Sequence, residues 1–339
     1  MADLSKLQEI TRKRKWYQIG HYSAEEKRLF HVPYILLIIP VAHIIVFYFY
    51  LNMSSFALAF TNTKGGFTLG NFQSFFRNVV TGSKDMVGLN FNEAFKNSVF
   101  IYWTGFLIGN TIGLLTTYML TKHMVGHKVF RTILHIPGLV GGVVSAVIHQ
   151  GLYDWNGPVL EVLVAIFGKD AFAPAVLKNG LLGHKSTAFM TLCIRNWWGG
   201  IGGGSMILAG AFMRIPQEVF EAANLDGCGF ARETFQIAIP CAWPTISTSL
   251  LFGLCGMFTA DLSFYTYSGG TGAYGMTSVG FYLYKFQALI SGADAIGGED
   301  YSWLYGYIAA VGMSITIITI PIAFLGRVVL SKLVEDVSF

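Results

Sequence analysis

Six long apolar stretches alternate with shorter polar segments along this chain. A transmembrane helix needs about 20 mostly apolar residues, because the hydrocarbon core of a bilayer is about 30 Å thick and offers the backbone no hydrogen-bond partner. The pattern therefore predicts an all-α, polytopic membrane protein with about six transmembrane helices. The predicted spans are 33–51, 97–121, 132–153, 186–212, 241–259 and 301–326.

Prolines and glycines predict where these helices bend or pack closely. Pro40 predicts a kink in the first span, and the segment 137–142, "PGLVGG", predicts a bend or break in the third. Gly109 and Gly113 form a small-xxx-small pair that favours close helix packing in the second span. The glycine-rich run 199–204 lies within the fourth span, where we expect helix packing or local unwinding.

Composition and charge agree with a membrane protein and predict its orientation. The chain is 53% hydrophobic and only 12% charged. Seven lysines and arginines lie in segment 1–32 and three in segment 122–131, whereas the loop after the fifth span has only Lys285. Because these residues are retained on the cytoplasmic side, both termini of this multi-pass protein are predicted to be cytoplasmic. Four basic residues between positions 64 and 96 weaken this bias.

This topology divides the chain into predicted regions. Segment 1–32 is a basic tail, expected to be attracted to anionic lipid, and 33–96 holds the first helix and an outer loop. Segment 97–330 is predicted to be a five-helix core that contains a cytoplasmic loop at 213–240. Segment 331–339 is a second cytoplasmic tail.

The loop at 213–240 is unusually polar for this chain. Pro216 suits the start of a helix, Glu218 favours its positive end, and Gly227 is placed to stop it. The pattern predicts a helix over 217–225 that projects into the cytoplasm and fits a groove in a partner. An ordinary amphipathic connector is the alternative.

The same loop resembles the "EAA…G………I.LP" segment found in permease subunits of ATP-binding-cassette (ABC) importers. The matching residues are Glu221, Ala222, Ala223, Asp226, Gly227, Ile237, Ile239 and Pro240. The resemblance implies the type I importer permease fold, and it implies that this segment couples the permease to an ATPase. The residues expected to do so are Glu218, Phe220, Glu221, Ala222, Ala223, Asp226, Gly227 and Pro240. Pro240 is expected to set the start of the fifth span.

Further segments resemble the carbohydrate branch of these importers. "FRTILHIPGLVGGVVSAVIHQGLY" is similar to one of its core helices, and "FYTYSGGTGAYGMTSVGFYLYKFQ" is similar to a loop that usually reads "TGGGP". Here segment 268–272 reads "SGGTG", without the proline. This departure suggests a side branch that handles larger or unusual saccharides.

The resemblance also implies partners and a division of labour. We expect a second, homologous permease, two ATPase subunits, an extracytoplasmic solute-binding protein and a carbohydrate substrate. The sequence has no GxxxxGK[ST] phosphate loop, so it is not expected to be an enzyme, and ATP and Mg are expected in the partner ATPase. No cofactor, metal site or nucleic-acid partner is expected. His123 and His127 have a spacing that could bind metal, but no cysteine or carboxylate completes a set.

Substrate contact is predicted for residues of the fourth span and the loop after the fifth. The candidates are Arg195, Asn196, Trp197, Trp198, Asp261 and Tyr265. Arg195 either faces a wet cavity or partner, or anchors at the membrane interface. The tryptophans either stack on sugar rings or belong to the interfacial aromatic belt. Asp261 and Tyr265 either line the outer mouth or only pack in the loop.

An ion-coupled secondary transporter of a small polar solute is the alternative function. Such a transporter favours buried acids as ion sites, whereas the predicted spans contain no clear Asp or Glu except Asp261 near an end. A membrane enzyme or scaffold is a third class.

Overall fold

A computed structural model describes residues 36–62, 64–122, 124, 126–259, 275–292 and 304–333. They fall into two compact units that meet between Leu58 and Ala59. The regular structure of the described ranges is helical, apart from one isolated bridge between Thr61 and Phe67. The prediction of an all-α fold is confirmed.

The first unit contains most of one helix, α1, which spans Leu36–Ala59. Its middle, Ile44–Tyr50, is wound as a π-helix. This turn begins four residues after Pro40, whose missing N–H leaves a backbone carbonyl without its helical partner. The apolar side chains of α1 are exposed, as expected of a helix that faces lipid.

The second unit contains the remaining helices. In chain order they are α2 (Gly70–Thr81), α3 (Phe91–Thr121), α4 (His127–Leu139), α5 (Gly142–Tyr153), α6 (Pro158–Phe167), α7 (Pro174–Asn179), α8 (Lys185–Gly203), α9 (Ser205–Phe212), α10 (Gln217–Leu225), α11 (Phe230–Phe258), α12 (Val279–Ile290) and α13 (Leu304–Leu333). Within the described residues, α1, α3, α11 and α13 are long and apolar enough to cross a membrane as single helices.

The other two predicted spans are present as broken helices. The third divides into α4 and α5 around Val140 and Gly141, within the "PGLVGG" segment. The fourth divides into α8 and α9 at Gly204, within the glycine run. The expected break and the expected local unwinding are both confirmed. They occur at these segments because proline and glycine are the residues that most weaken a helix interior.

Two glycines bring the backbones of α3 and α8 into close contact. A Cβ at Gly109 would lie 3.2 Å from the carbonyl oxygen of Trp197, and a Cβ at Gly113 would lie 3.2 Å from the Cα of Ile201. A contact of this length is tighter than most Cβ contacts, so a larger residue would require the two helical backbones to shift apart, and the predicted close packing is confirmed.

Two apolar clusters form at opposite ends of α3. The Phe91 cluster includes Phe75, Phe91, Met276, Tyr282 and Leu304, among other buried residues. The Tyr118 cluster comprises Tyr118, Ala211, Phe212, Ile215, Ala238, Ala242 and Ile246. Helix α3 therefore connects the two packed regions of the second unit.

Four short helices, α2, α6, α7 and α12, occur where the sequence pattern predicts only connections. Helices α6 and α7 pack together through Leu160, Val176 and Leu181. Helix α12 lies in the predicted loop between the fifth and sixth spans, and its Val279 and Tyr282 are fully buried in the Phe91 cluster. With 12 residues, α12 is too short to span a bilayer, so its apolar character reflects burial within the protein.

Replacing Gly109 and Gly113 together by alanine should destabilise the protein. Each added methyl group meets helical backbone that cannot move aside, at a typical cost of about 1–3 kcal/mol for overpacking. Gly199→Ala is the matched control in α8, because a Cβ there meets nothing within 4 Å. We expect a lower thermal unfolding temperature in detergent for the double variant and an unchanged or higher one for the control. Equal temperatures for the two proteins would contradict the close contact.

Candidate functional site

Helix α10 begins and ends at the predicted residues, Gln217–Leu225. Pro216 precedes it in an extended conformation, and Glu218 lies in its first turn, where a negative charge favours the helix dipole. The Gln217 side chain donates a 2.9 Å hydrogen bond to the Glu221 carboxylate one turn later. The acidic side chains are thereby held at the exposed start of the helix.

Gly227 ends α10 through a Schellman motif. Its φ angle is +72°, in the left-handed region that favours glycine. The Gly227 N–H donates to the Asn224 carbonyl at 3.1 Å, and the Cys228 N–H donates to the Ala223 carbonyl at 2.9 Å. These two bonds satisfy carbonyls that the helix itself leaves open, so Gly227 fixes where α10 stops.

The two faces of α10 have different surroundings. Ala223 is buried, and the half-buried Phe220 packs against the Tyr118 cluster. Both residues thus attach α10 to its own chain. The exposed face presents the other residues predicted for coupling, namely Glu218, Glu221, Ala222 and Asp226. It also presents Leu225, whose side chain is 90% exposed and which the sequence analysis did not select.

The position of Pro240 corrects one expectation. The fifth span begins at Phe230, ten residues before Pro240, because α11 runs without interruption from Phe230 to Phe258. Pro240 lies inside this helix, directly after the π-helical turn Thr234–Ala238. Since proline removes one backbone hydrogen bond, it accounts for the irregular turn here and not for the start of the helix.

A buried ion pair connects α3 to α11 beside α10. The Lys122 ammonium pairs with the Glu233 carboxylate, which also accepts a hydrogen bond from the Tyr118 hydroxyl. Glu233 is buried, with a side chain only 7% exposed, whereas the Lys122 side chain is 32% exposed. The Lys122 ammonium also lies 4.3 Å from the centre of the Phe220 ring on α10. The sequence analysis selected Phe220 but missed the other three residues, since nothing in the local pattern distinguishes a buried acid from a solvated one.

A cavity of about 320 Å³ lies between α3, α8 and the end of α11. Its lining residues are Ser98, Ile101, Tyr102, Asn196, Gly253, Gly256, Met257, Thr259 and Ser278. The polar groups that line it are hydroxyls and one amide, and none of these residues is charged. Asn196 is the predicted substrate residue that the structure places here. Gly105, in a π-helical turn of α3, leaves room for its amide nitrogen.

The other predicted substrate residues have different surroundings. Arg195 is half-buried and interacts electrostatically with His149 on α5. Trp197 has a buried indole N–H with no hydrogen-bond partner among the described residues, and the exposed Trp198 ring lies 5.0 Å from the His149 ring. Asp261 and Tyr265 lie outside the described residues.

The positions of Arg195, Trp197 and Trp198 along α8 bear on whether these residues lie at the membrane interface or within the packed spans. Arg195 lies ten residues after the start of α8 at Lys185, which is about 15 Å along the helix. The Trp197 backbone packs against Gly109, near the middle of α3. A mid-helix position disfavours the interfacial anchor and the aromatic belt, and it favours a role within the packed spans.

No group of three His, Cys, Asp or Glu side chains that could hold a metal ion occurs in the part of the chain that the structure describes.

Known proteins of similar sequence are permeases. No protein-family model matches the chain. The multiple sugar-binding transport system permease protein MsmF of Streptococcus mutans is 22% identical over 309 residues, which cover 88% of this chain and 94% of that protein. The arabinooligosaccharides transport system permease protein AraP of Bacillus subtilis is 22% identical over 323 residues, which cover 91% of this chain and 90% of that protein. For the probable ABC transporter permease protein YurN of Bacillus subtilis, the identity is 26% over 58% of this chain and 61% of that protein.

Solved structures show the same fold. A chain of a bacterial ABC transporter involved in the import of the acidic polysaccharide alginate matches with a TM-score of 0.67 at 18% identity, over 90% of this chain and 96% of that chain. A chain of the bacterial alginate ABC transporter in complex with alginate pentasaccharide-bound periplasmic protein matches with a TM-score of 0.68 at 19% identity. The match covers 92% of this chain and 98% of that chain. The chain is therefore similar in sequence to sugar-transport permeases and shares the fold of chains in the alginate importer.

A second polar network, half-buried at its acid, lies at the far end of α3 from α10. The Asp85 carboxylate accepts hydrogen bonds from the Tyr282 hydroxyl, from Tyr307 at 2.6 Å and from the Asn78 amide at 3.2 Å. Burial, the neighbouring Tyr307 hydroxyl and the Asp85 carboxylate raise the pKa of Tyr282 on α12, so this phenol stays protonated and donates. The network ties the segment before α3 to α12 and α13.

Gly227→Ala should loosen the end of α10. Alanine in the left-handed conformation costs about 1–2 kcal/mol, so the two capping hydrogen bonds should open more often. Faster amide hydrogen exchange at residues 227 and 228 would show this. Gly229→Ala is the matched control, because Gly229 has a φ of −76° and open space around its Cα. Equal exchange in the two variants would show that Gly227 does not fix the helix end.

Proposed function

We propose that this chain is the membrane-spanning permease subunit of an ATP-driven, binding-protein-dependent importer of a carbohydrate. The observation that carries the proposal is the similarity to sugar and oligosaccharide permeases over about nine tenths of the chain. Helix α10 supports it, because an amphipathic helix with one face anchored and one face exposed is suited to a groove in a partner.

The proposed assembly contains a second, homologous permease, two ATPase subunits and an extracytoplasmic solute-binding protein. ATP and Mg belong to the ATPases, since the sequence has no phosphate loop. The protein lies in a bacterial inner membrane with both termini in the cytoplasm. In this orientation α10 and the Tyr118 cluster face the cytoplasm, and the Phe91 cluster faces the solute-binding protein.

The exposed face of α10 is the proposed contact with the ATPase. Leu225 would fill an apolar pocket, while Glu218 and Glu221 would pair with basic side chains around it. Closure of the ATPases on ATP then moves α10, and the core helices rearrange between inward and outward openings. Phe220 and Ala223 keep α10 attached to the core during this movement.

The cavity beside Asn196 is the proposed part of the sugar pathway. Its hydroxyl, amide and aromatic groups match the hydroxyls and apolar faces of a sugar ring. Among the described residues the lining is uncharged, which favours a neutral saccharide over an anionic one, because a carboxylate would enter without one of these residues as a cation to pair with it.

Purification of the tagged chain from its native membrane in mild detergent tests the assembly. We expect a second permease and an ATPase to copurify with the wild-type chain. The ATPase should be lost from Gly227→Pro, because proline cannot adopt the φ angle of +72° and removes the N–H that bonds to Asn224. Gly229→Ala should retain it. Recovery of the chain alone, or only with copies of itself, would favour an ion-coupled transporter instead.

Asn196→Ala should weaken sugar uptake through the assembled importer. Loss of one hydrogen bond predicts a rise in the KM of uptake of about 2- to 12-fold for the best neutral trisaccharide in a labelled panel. Met190→Ala is the control on the same helix, because Met190 is exposed and does not line the cavity. We expect maltotriose or cellotriose to be taken up in preference to an alginate trisaccharide. Preference for the uronate, or an unchanged KM in Asn196→Ala, would remove this cavity from the pathway.

A further inference from the structure

We infer that Glu233 is a positioning residue that transmits movement of α10 to the core helix α3. The inference rests on the proposed docking of α10 to an ATPase. It concerns a separate step, namely how a displacement of this short helix reaches the membrane span. The observation behind it is the buried Glu233 carboxylate of α11, which Tyr118 and Lys122 hold at the end of α3, while the Lys122 ammonium also lies over the Phe220 ring of α10.

The first link joins α10 to the end of α3. The Phe220 ring on α10 lies under the ammonium group of Lys122, with 4.3 Å between the nitrogen and the ring centre. Lys122 is the residue that directly follows α3. A cation over an aromatic face is attracted by the ring electrons, and this attraction is stronger where water is partly excluded. A shift of Phe220 therefore pulls on Lys122.

The second link holds Lys122 and α3 to α11. The Glu233 carboxylate pairs with Lys122 and accepts from Tyr118, one turn earlier on α3. Two groups of α3 thus hold the same carboxylate, so the end of α3 cannot shift without moving it. Glu233 lies in the first turn of α11 and Lys122 at the end of α3, so the dipoles of both helices favour this arrangement of charges.

Packing around the carboxylate makes the connection stiff. The Tyr118 ring packs edge-on against Phe212 at 5.2 Å and stacks with Phe230 at 5.9 Å. Glu233 itself is buried, and water is therefore a poor substitute for its partners. A well-packed apolar residue could fill the same space, but it would not fix Lys122 above Phe220. The charge is what specifies the connection.

Hydrogen exchange in the purified complex separates docking from transmission. Amide exchange is measured in α10 and in residues 111–122 without nucleotide and with Mg, ATP and vanadate. In the wild-type complex we expect protection of α10 by the ATPase and a nucleotide-dependent change at residues 111–122. In Glu233→Gln we expect α10 to remain protected, while the change at residues 111–122 falls roughly 2- to 30-fold, the range typical of residues between coupled sites.

Further variants exclude a merely structural effect. Glutamine keeps the size of the side chain and an oxygen for Tyr118, and the Lys122 side chain is 32% exposed and can be hydrated, so Glu233→Gln should still assemble, with a lower thermal unfolding temperature because an ion pair is lost. Tyr118→Phe should reduce the nucleotide response less, because the ion pair with Lys122 remains. The exchanged pair Lys122→Glu with Glu233→Lys should not recover the response, because a carboxylate is repelled by the face of the Phe220 ring and both charges then oppose the helix dipoles. Glu161→Gln, at an exposed acid on α6, is the control and should respond like the wild type.

Each outcome bears on a different statement. If no ATPase copurifies with the wild-type chain, the proposed function is wrong. If the ATPase protects α10 and residues 111–122 of Glu233→Gln still respond as in the wild type, the inference is wrong. Recovery of the response by the exchanged pair, with the complex assembled, would also overturn it, because that pair places no cation over the Phe220 ring.

Discussion

The close contact between the backbones of α3 and α8 is the constraint on which the rest of the second unit depends. A Cβ at either Gly109 or Gly113 would lie 3.2 Å from the backbone of α8, so a larger residue would require the helices to move apart. This approach places Asn196 beside the π-helical turn of α3, where a Cβ at Gly105 would lie 3.6 Å from the Asn196 amide nitrogen. Asn196 and residues of α3 line the cavity, so its shape depends on how closely these helices pack.

Helix α3 connects the two regions in which polar chemistry is buried. Near one end, Tyr118 and Lys122 hold the Glu233 carboxylate. At the other end, the Asp85 carboxylate is held by tyrosines of α12 and α13. In both places an acid accepts bonds from groups distant in the sequence, although Glu233 is buried and Asp85 is half-buried. An acid with satisfied bonds restricts how its neighbours can be arranged.

Local signals explain why some of this structure was predictable from the sequence. The bounds of α10 follow from residues within the helix or beside it, namely Pro216, Glu218 and Gly227. The breaks at Gly141 and Gly204 likewise depend on the residues at the break. Glu233 was not predictable in this way, because its partner Tyr118 lies 115 positions away and only the fold brings them together. Helix α12 was missed for a related reason, since its apolar residues pack within the protein and not against lipid.

The lengths of α3 and α13 have a consequence for where the Phe91 cluster lies relative to the bilayer. With 31 and 30 residues, the two helices are each about 45 Å long, against a hydrocarbon thickness of about 30 Å. Even at a tilt of about 20°, each must extend well past the apolar layer. Both helices begin in the Phe91 cluster, at Phe91 and Leu304. The two helices are therefore matched in length, and they are long enough for the Asp85 network to lie at the level of the lipid headgroups. Hydration there lowers the free-energy cost of a charged carboxylate.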